Sequence, residues 1–260
     1  MATQLDIVSI EGSIFNILAI DIGNSAIKLF GNGELLRFSY RSKWEEDLKI
    51  VLSGLSSRLC LFVVSSVNRE KAELFESFIA CYPNFKILKA NDLIYKQTLI
   101  DTSQLQGIGN DRLLGLIGAK FYSNPPLMTI DCGTATTINL LNSDSVCIGG
   151  AILPGIFTQF RSLIENTSAL KKIKLKQVKS FFGKNTNDAI SSGILNGTTS
   201  LIKEFVHQAK IELGTDNLNI FLTGGNSIWI VDNLLKYNGS ILHKPNLVLD
   251  GLKYLAIKLA

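Results

Sequence analysis

Three aspartates stand where they could do chemistry: Asp21, Asp111 and Asp131. Asp21 ends an apolar run, Ile17 to Ile20, and is followed by Gly23, Asn24, Ser25 and Lys28 (IDIGNSAIK). Gly23 permits a tight turn because it has no Cβ to forbid positive φ, and Asn24 and Ser25 tolerate turn geometry. The product is a strand, a turn and a strand, with a carboxylate beside turn N–H groups. Such a turn can hold a phosphate, while the carboxylate positions Mg²⁺ directly or through water. The design recurs 110 residues later in TIDCGTATTINL, where Leu127 to Ile130 ends in Asp131 and Gly133, followed by Thr134, Thr136 and Thr137. One D-x-G is a weak signal, but two, each after an apolar strand and each opening a polar hairpin, suggest a duplicated fold with a nucleotide between its halves. Asp111 and Arg112 lie in the first turn of a helix entered through Gly107 and Gly109. An acid there either complements the helix dipole or serves as a base. Acids surrounded by glycines and threonines suit phosphoryl transfer, which asks mostly for positioning and charge neutralisation.

Other chemistries find little support. There is no G-x-x-x-x-G-K-[ST], no G-x-G-x-x-G after a strand and no G-x-S-x-G elbow. His207 and His243 lie outside every glycine-rich turn and read as surface residues. Cys60, Cys81, Cys132 and Cys147 form no C-x-x-C pair, and Cys60, Cys132 and Cys147 fall in or beside apolar runs, so zinc and disulfides are not expected and a reducing compartment is. A net charge of +4 is too small to argue for nucleic-acid binding. Met1 to Glu11 lacks a basic n-region, and no apolar run reaches membrane-helix length. The expectation is a cytoplasmic protein with no membrane segment and no nucleic-acid partner.

The elements that must position the aspartates follow an α/β rhythm. Met1 to Gly12 reads as a short extension. Strands are expected at Ile14–Ile20, Ala26–Phe30, Glu34–Tyr40, Arg58–Val64 and Phe85–Leu88, with a hairpin turn at Asn32-Gly33. Ser42 with Glu45 suggests a capping box, and Asn68 a helix cap. Asn124-Pro125-Pro126 breaks the chain, which places a boundary between halves 1–124 and 125–260. In the second half, Leu127–Leu141 reads as a hairpin, Ser145–Ile152 as a strand, and a helix follows to Glu165. The lysine run KKIKLKQVK, Lys171 to Lys179, alternates at period two and reads as a strand with one solvated face rather than as an anion-steering patch. Asn185-Thr186 starts a long helix, Asn219–Leu222 is a strand, Thr223-Gly224-Gly225-Asn226 opens another helix, and Leu252–Leu259 closes the chain.

In order, these motifs resemble the type III pantothenate kinases of the acetate and sugar kinase/Hsp70/actin superfamily. Asp21-Ile22-Gly23-Asn24-Ser25 with Lys28 is similar to the first phosphate motif, Gly109-Asn110-Asp111-Arg112 to G-x-D-R, and Asp131-Cys132-Gly133-Thr134-Ala135-Thr136 to the second phosphate motif. Gly149 to Gly155 is similar to G-G-x-I-x-P-G, Thr167 with Leu170 to T-A-x-L, and Gly183 with Thr186 and Thr223-Gly224-Gly225 to later motifs. The resemblance implies a duplicated actin-like (ribonuclease H-like) ATPase fold, with two similar halves and a nucleotide cleft between them. It implies ATP-dependent phosphorylation of pantothenate, the first step towards coenzyme A. Asp21 would hold Mg²⁺, with Gly23, Asn24, Ser25, Lys28, Gly133 and Thr134 lining the ATP phosphates. Asp111 would be the general base, Asp131 would help hold a monovalent cation (K⁺ or NH₄⁺), and Gly109, Asn110, Arg112, Thr167 and Thr186 would bind pantothenate. Thr167 would act from the neighbouring subunit of a homodimer. Two other readings share the scaffold: a non-catalytic accessory regulator, and a kinase for another small hydroxyl compound. Departures are also present. The stretch Asp101 to Gly107 lacks the family's usual tyrosine, Cys132 stands where phenylalanine is common, and Ser168 and Ala169 alter the pattern after Thr167.

Overall fold

The computed structural model describes residues 6–167, 170–237 and 241–259, so Ser168 and Ala169 lie outside the described residues. The chain divides into two compact units, Met1–Leu99 with Val248–Ala260, and Ile100–Leu247. The boundary expected at residue 124 differs from this division. The Asn124-Pro125-Pro126 break instead separates a helix from a strand within the second unit, because the helix carrying Asp111 packs on that unit's sheet.

The first unit is built on β1 (Ile7–Ile10), β2 (Ser13–Ile22), β3 (Ala26–Gly31), β4 (Glu34–Ser39), β5 (Cys60–Ser66) and β6 (Phe85–Lys89), with α1 (Trp44–Leu55), α2 (Arg69–Ile79) and α3 (Ala90–Lys96). Its main sheet runs β4-β3-β2-β5-β6. The first three of these strands form an antiparallel meander, and β2, β5 and β6 are parallel. β2 is central and buried on both faces, which is why Ile17 to Ile20 is an unbroken apolar run. Leu48 and Leu52 of α1, and Phe75 and Ile79 of α2, share its core with Leu18, Ile20 and Phe62. Asn68 caps α2 by accepting the Lys71 N–H, as its position predicts. The Ser42 capping box does not form. Lys43 occupies the N-cap of α1 without a side-chain bond, and the Ser42 hydroxyl donates back to Ser39 O at 2.8 Å.

The second unit repeats the plan with α4 (Asn110–Tyr122), β7 (Leu127–Cys132), β8 (Ala135–Leu141), β9 (Cys147–Pro154), α5 (Ile156–Glu165), α6 (Thr186–Leu213), β10 (Asn219–Thr223), α7 (Val231–Tyr237) and β11 (Ile241–His243). Its sheet order, β9-β8-β7-β10-β11, matches the first position for position: an antiparallel meander, then two parallel strands. This is a duplicated actin-like α/β fold. Asn185 caps α6 by accepting the Asp188 N–H at 3.0 Å. The lysine run forms no strand. Ile173 and Leu175 pack on the core, while the backbone N–H groups of Lys174 and Lys176 donate to Asn187 and Ser191 of α6. Its period-two pattern therefore records one buried edge and no ladder.

The last helix, α8 (Leu247–Leu259), begins earlier than Leu252, and its residues from Val248 belong to the first unit. Of the expected extension, Met1 to Gly12, residues 1–5 lie outside the described residues, and the rest is more than an extension. β1 pairs antiparallel with β2, and Asp6 is 1% exposed. No helix among the described residues is long and apolar enough to cross a membrane.

Cys60, Cys132 and Cys147 are buried and Cys81 is exposed. Burial pushes the Cys60 thiol up to about 11 and that of Cys132 up to about 12. Because the thiolate is the reactive form, a thiol reagent is expected to label only Cys81 in the native protein, and all four cysteines only after unfolding. Labelling of a second native thiol would contradict this core.

Candidate active site

In the first unit, Asp21 and Lys28 are register partners across β2 and β3, and the Lys28 ammonium donates to Asp21 Oδ2 at 2.9 Å. The pair is half-buried, so both groups reach the surface of the hairpin. Gly23 donates its N–H to Ala26 O at 3.1 Å, which closes a four-residue turn between Ile22 and Ile27. Asn24 and Ser25 are exposed at its tip. The turn is clamped from β4's end: the Tyr40 hydroxyl donates to Gly23 O at 3.1 Å, and the Tyr40 N–H donates to Ser25 O. Burial, and then the Asp21 carboxylate, push the Tyr40 phenol up, so it remains a donor. Sequence reading assigns Tyr40 only to a strand. Its role depends on β4 returning beside the turn, which no local pattern announces.

The second hairpin has the same logic in a shorter turn, with Gly133 N–H donating to Ala135 O at 2.9 Å. Two neighbours fix it. From the start of α5, Gly155 N–H and the Thr158 hydroxyl both donate to Thr134 O, at 2.9 and 2.6 Å. From the loop after β10, Asn226 donates its N–H to Cys132 O at 2.9 Å and its side-chain amide to Gly133 O at 2.8 Å. This explains the glycines of two motifs. A Cβ on Gly155 would strike the carbonyl oxygens of Gly133 and Thr134. Gly224 has φ +89°, and a Cβ there would strike Asp131 Oδ1 and the Cys132 backbone. Thr134 is exposed at the turn, and Asp131 lies half-buried at its base.

His243 is not a simple surface residue. Its Nε2 lies 2.8 Å from Ser227 Oγ, whose hydroxyl also reaches Gly224 O, and burial lowers its pKa. It therefore braces the loop that carries Gly224. His207 is exposed, as its place on the polar face of α6 predicts.

Gly109 is the N-cap of α4 and contributes no side-chain cap. Asn110 and Asp111 are exposed in the first turn. A Cβ on Gly109 would sit 2.6 Å from Asp111 Oδ1, so glycine leaves that carboxylate its room. Arg112 turns inward, and its Nε donates to Asn139 Oδ1 at 2.6 Å. The stretch before Gly109 is pinned by other means than a tyrosine. Asp101 exchanges backbone hydrogen bonds with Ser145 and Cys147, and the Ser103 N–H holds its carboxyl below the usual range.

Thr167 follows α5, and Thr186 is the exposed first residue of α6. Among the described residues, neither is hydrogen-bonded to Asp111 or Arg112. Gly183, before Thr186, has no space for a Cβ against the Asp188 and Ala189 backbone. Cys132 is fully buried, so a smaller side chain there is a matter of core packing.

Comparison with known proteins places these motifs in context. The family model for type III pantothenate kinase matches residues 17–208. The type III pantothenate kinase of Sulfurihydrogenibium sp. is 30% identical over 236 residues, which cover 84% of this chain and 91% of that one. That of Thermus thermophilus is 31% identical over 226 residues, covering 80% and 87%. Among solved structures, a Campylobacter jejuni protein described as a Baf family transcriptional activator superposes with a TM-score of 0.57 at 22% identity, covering 93% of this chain and 98% of that one. A likeness at that identity shows the fold alone.

Proposed function

The chain belongs to the type III pantothenate kinase family, and we propose that it performs the reaction of that family: ATP-dependent phosphorylation of pantothenate to 4'-phosphopantothenate, the first step of coenzyme A biosynthesis. The observation that carries this reading is the second unit's arrangement. The glycine turn at Gly133-Thr134 is fixed on both sides, and the same unit presents an exposed carboxylate, Asp111, followed in the chain by an anchored arginine, Arg112.

In this reading Asp21, Gly23, Asn24, Ser25, Lys28, Gly133 and Thr134 serve the ATP phosphates. The terminal hydroxyl of pantothenate attacks the γ-phosphorus, the bond to the bridging β–γ oxygen breaks, and the hydroxyl proton passes to the Asp111 carboxylate. Gly109, Asn110, Arg112, Thr167 and Thr186 orient pantothenate. Among the described residues no group of three His, Cys, Asp or Glu gathers to hold a metal. Asp21 suits a metal that takes a single protein carboxylate together with water and substrate phosphates, as Mg²⁺ does. Asp131, at the base of its turn, suits a monovalent cation, K⁺ or NH₄⁺. Bound cations would supply neutralisation of phosphate charge.

A homodimer belongs to the same proposal, with Thr167 serving the partner's substrate. Phe181 and Phe182, 64% and 83% exposed, precede the Gly183–Thr186 segment, where apolar surface suits a subunit contact. The same reading proposes a cytoplasmic location, the compartment that supplies ATP.

Purified protein with ATP and Mg²⁺ is expected to form ADP and phosphopantothenate in a pantothenate-dependent, K⁺-stimulated way. Phosphate transfer to another hydroxyl compound but not to pantothenate would sink the substrate assignment. No transfer to any acceptor would sink the kinase.

A further inference from the structure

Thr129, Asn139 and Gly150 are register partners across β7, β8 and β9, so they form one row across three strands. Asn139 is 1% exposed, and a buried amide must find partners at both ends. Its Nδ2 donates to Thr129 Oγ1 at 3.4 Å, and its Oδ1 accepts from Arg112 Nε at 2.6 Å. The next member of the row has no side chain, and the guanidinium occupies that space. A Cβ on Gly150 would lie 2.8 Å from Arg112 Nη2 and 3.1 Å from Asn139 Oδ1, besides striking Ile138 O. An arginine has five N–H donors in a rigid fork, so fixing Nε fixes the plane in which the remaining donors point.

We infer that Asn139 is a positioning residue for pantothenate: held by Thr129 and given room by Gly150, it orients the guanidinium of Arg112, the residue that follows Asp111. This rests on the functional reading above, in which Arg112 meets pantothenate, an anion. Asn139 does not touch the reacting atoms and acts through Arg112 alone. Its loss should therefore weaken the use of pantothenate and leave ATP untouched, a split that a general loss of packing would not produce.

The test compares Michaelis constants for both substrates in wild type, Asn139→Leu, Asn139→Asp, Arg112→Ala and the Asn139→Leu/Arg112→Ala double variant. Asn139→Leu is expected to raise KM for pantothenate about tenfold, the scale of a lost hydrogen bond to a charged group, with KM for ATP unchanged. Asn139→Asp keeps an acceptor for Nε and should restore near-wild-type values. In the Arg112→Ala background, Asn139→Leu should add little, because the two act as one unit. Thr129→Val, a milder change, should show the same split at smaller amplitude, and it carries the test if Asn139→Leu does not fold. Equal shifts in both KM values, additive effects in the double variant, or no rescue by aspartate would overturn the inference. A wild type that phosphorylates pantothenate while Asn139→Leu leaves its KM unmoved would overturn the anchor alone. A wild type that never turns pantothenate over would overturn the functional reading and the anchor's substrate role with it.

Discussion

Asp111→Asn is expected to lower kcat for pantothenate phosphorylation by about 10²- to 10⁴-fold, the usual worth of a positioned general base. Asparagine keeps the shape of the side chain and cannot take the hydroxyl proton. The expectation stands against a specific rival, in which Asp111 only complements the N-terminus of α4. That role would cost about 0.3–1 kcal/mol of stability on substitution and nothing in turnover. The proposed reading is the base: Asp111 is exposed, where a substrate hydroxyl can reach it, and the next residue, Arg112, is anchored on Asn139. The decisive measurement is kcat alongside a urea unfolding curve. A collapse of kcat with an unchanged midpoint assigns the base, whereas unchanged kcat removes Asp111 from the chemistry and leaves the rest of the kinase standing. KM for ATP should hold in either case, because Asp111 does not line the phosphate turns.

What the sequence made legible was local. Both D-x-G hairpins, the helix entered at Gly109, and the caps at Asn68 and Asn185 each depend on a few consecutive residues, and each is present. The misreadings share a different cause. The lysine run has a strand's alternation, but alternation reports which side chains are buried and says nothing of a ladder partner. Ser42 and Glu45 satisfy a capping pattern, yet the chain enters α1 at Lys43, so the hydroxyl turns to Ser39. Asn139 sits in a run of strand residues and reads as an ordinary position of β8. Only the arrival of Arg112, 27 residues earlier in the chain, gives its carbonyl oxygen a purpose. The same holds for Tyr40 over the first turn and Asn226 over the second. Turns and caps announce themselves by residue type and spacing, whereas the residues that hold them in place are chosen by tertiary neighbours.

A pairing more distant along the chain carries the second large expectation. Lys253→Met should destabilise the protein by about 3–5 kcal/mol, the cost of removing one member of a buried ion pair. Lys253 in α8 and Asp6 before β1 are each 1% exposed, with Nζ and Oδ1 2.5 Å apart. Asp6 Oδ1 also accepts the Asn32 N–H at 3.1 Å, and the ammonium lies 4.5 Å from the Phe30 ring centroid. With methionine at 253 the cavity stays filled, so the loss is electrostatic: a buried carboxylate loses its ammonium partner. Removing both charges, as in Asp6→Leu/Lys253→Met, should recover most of the loss, because a buried pair is close to neutral against well-packed apolar replacements. A fall below about 1 kcal/mol for Lys253→Met, within the range of ordinary surface substitutions, would show that the pair carries no such role. Turnover separates this effect from the chemistry. β1 pairs with β2 only as far as Asn16, whereas Asp21 pairs with Lys28 and with Ser65 of β5 farther along that strand. Lys253→Met should therefore shift the urea midpoint and leave kcat of the folded enzyme near the wild-type value, the reverse of the signature expected for Asp111→Asn.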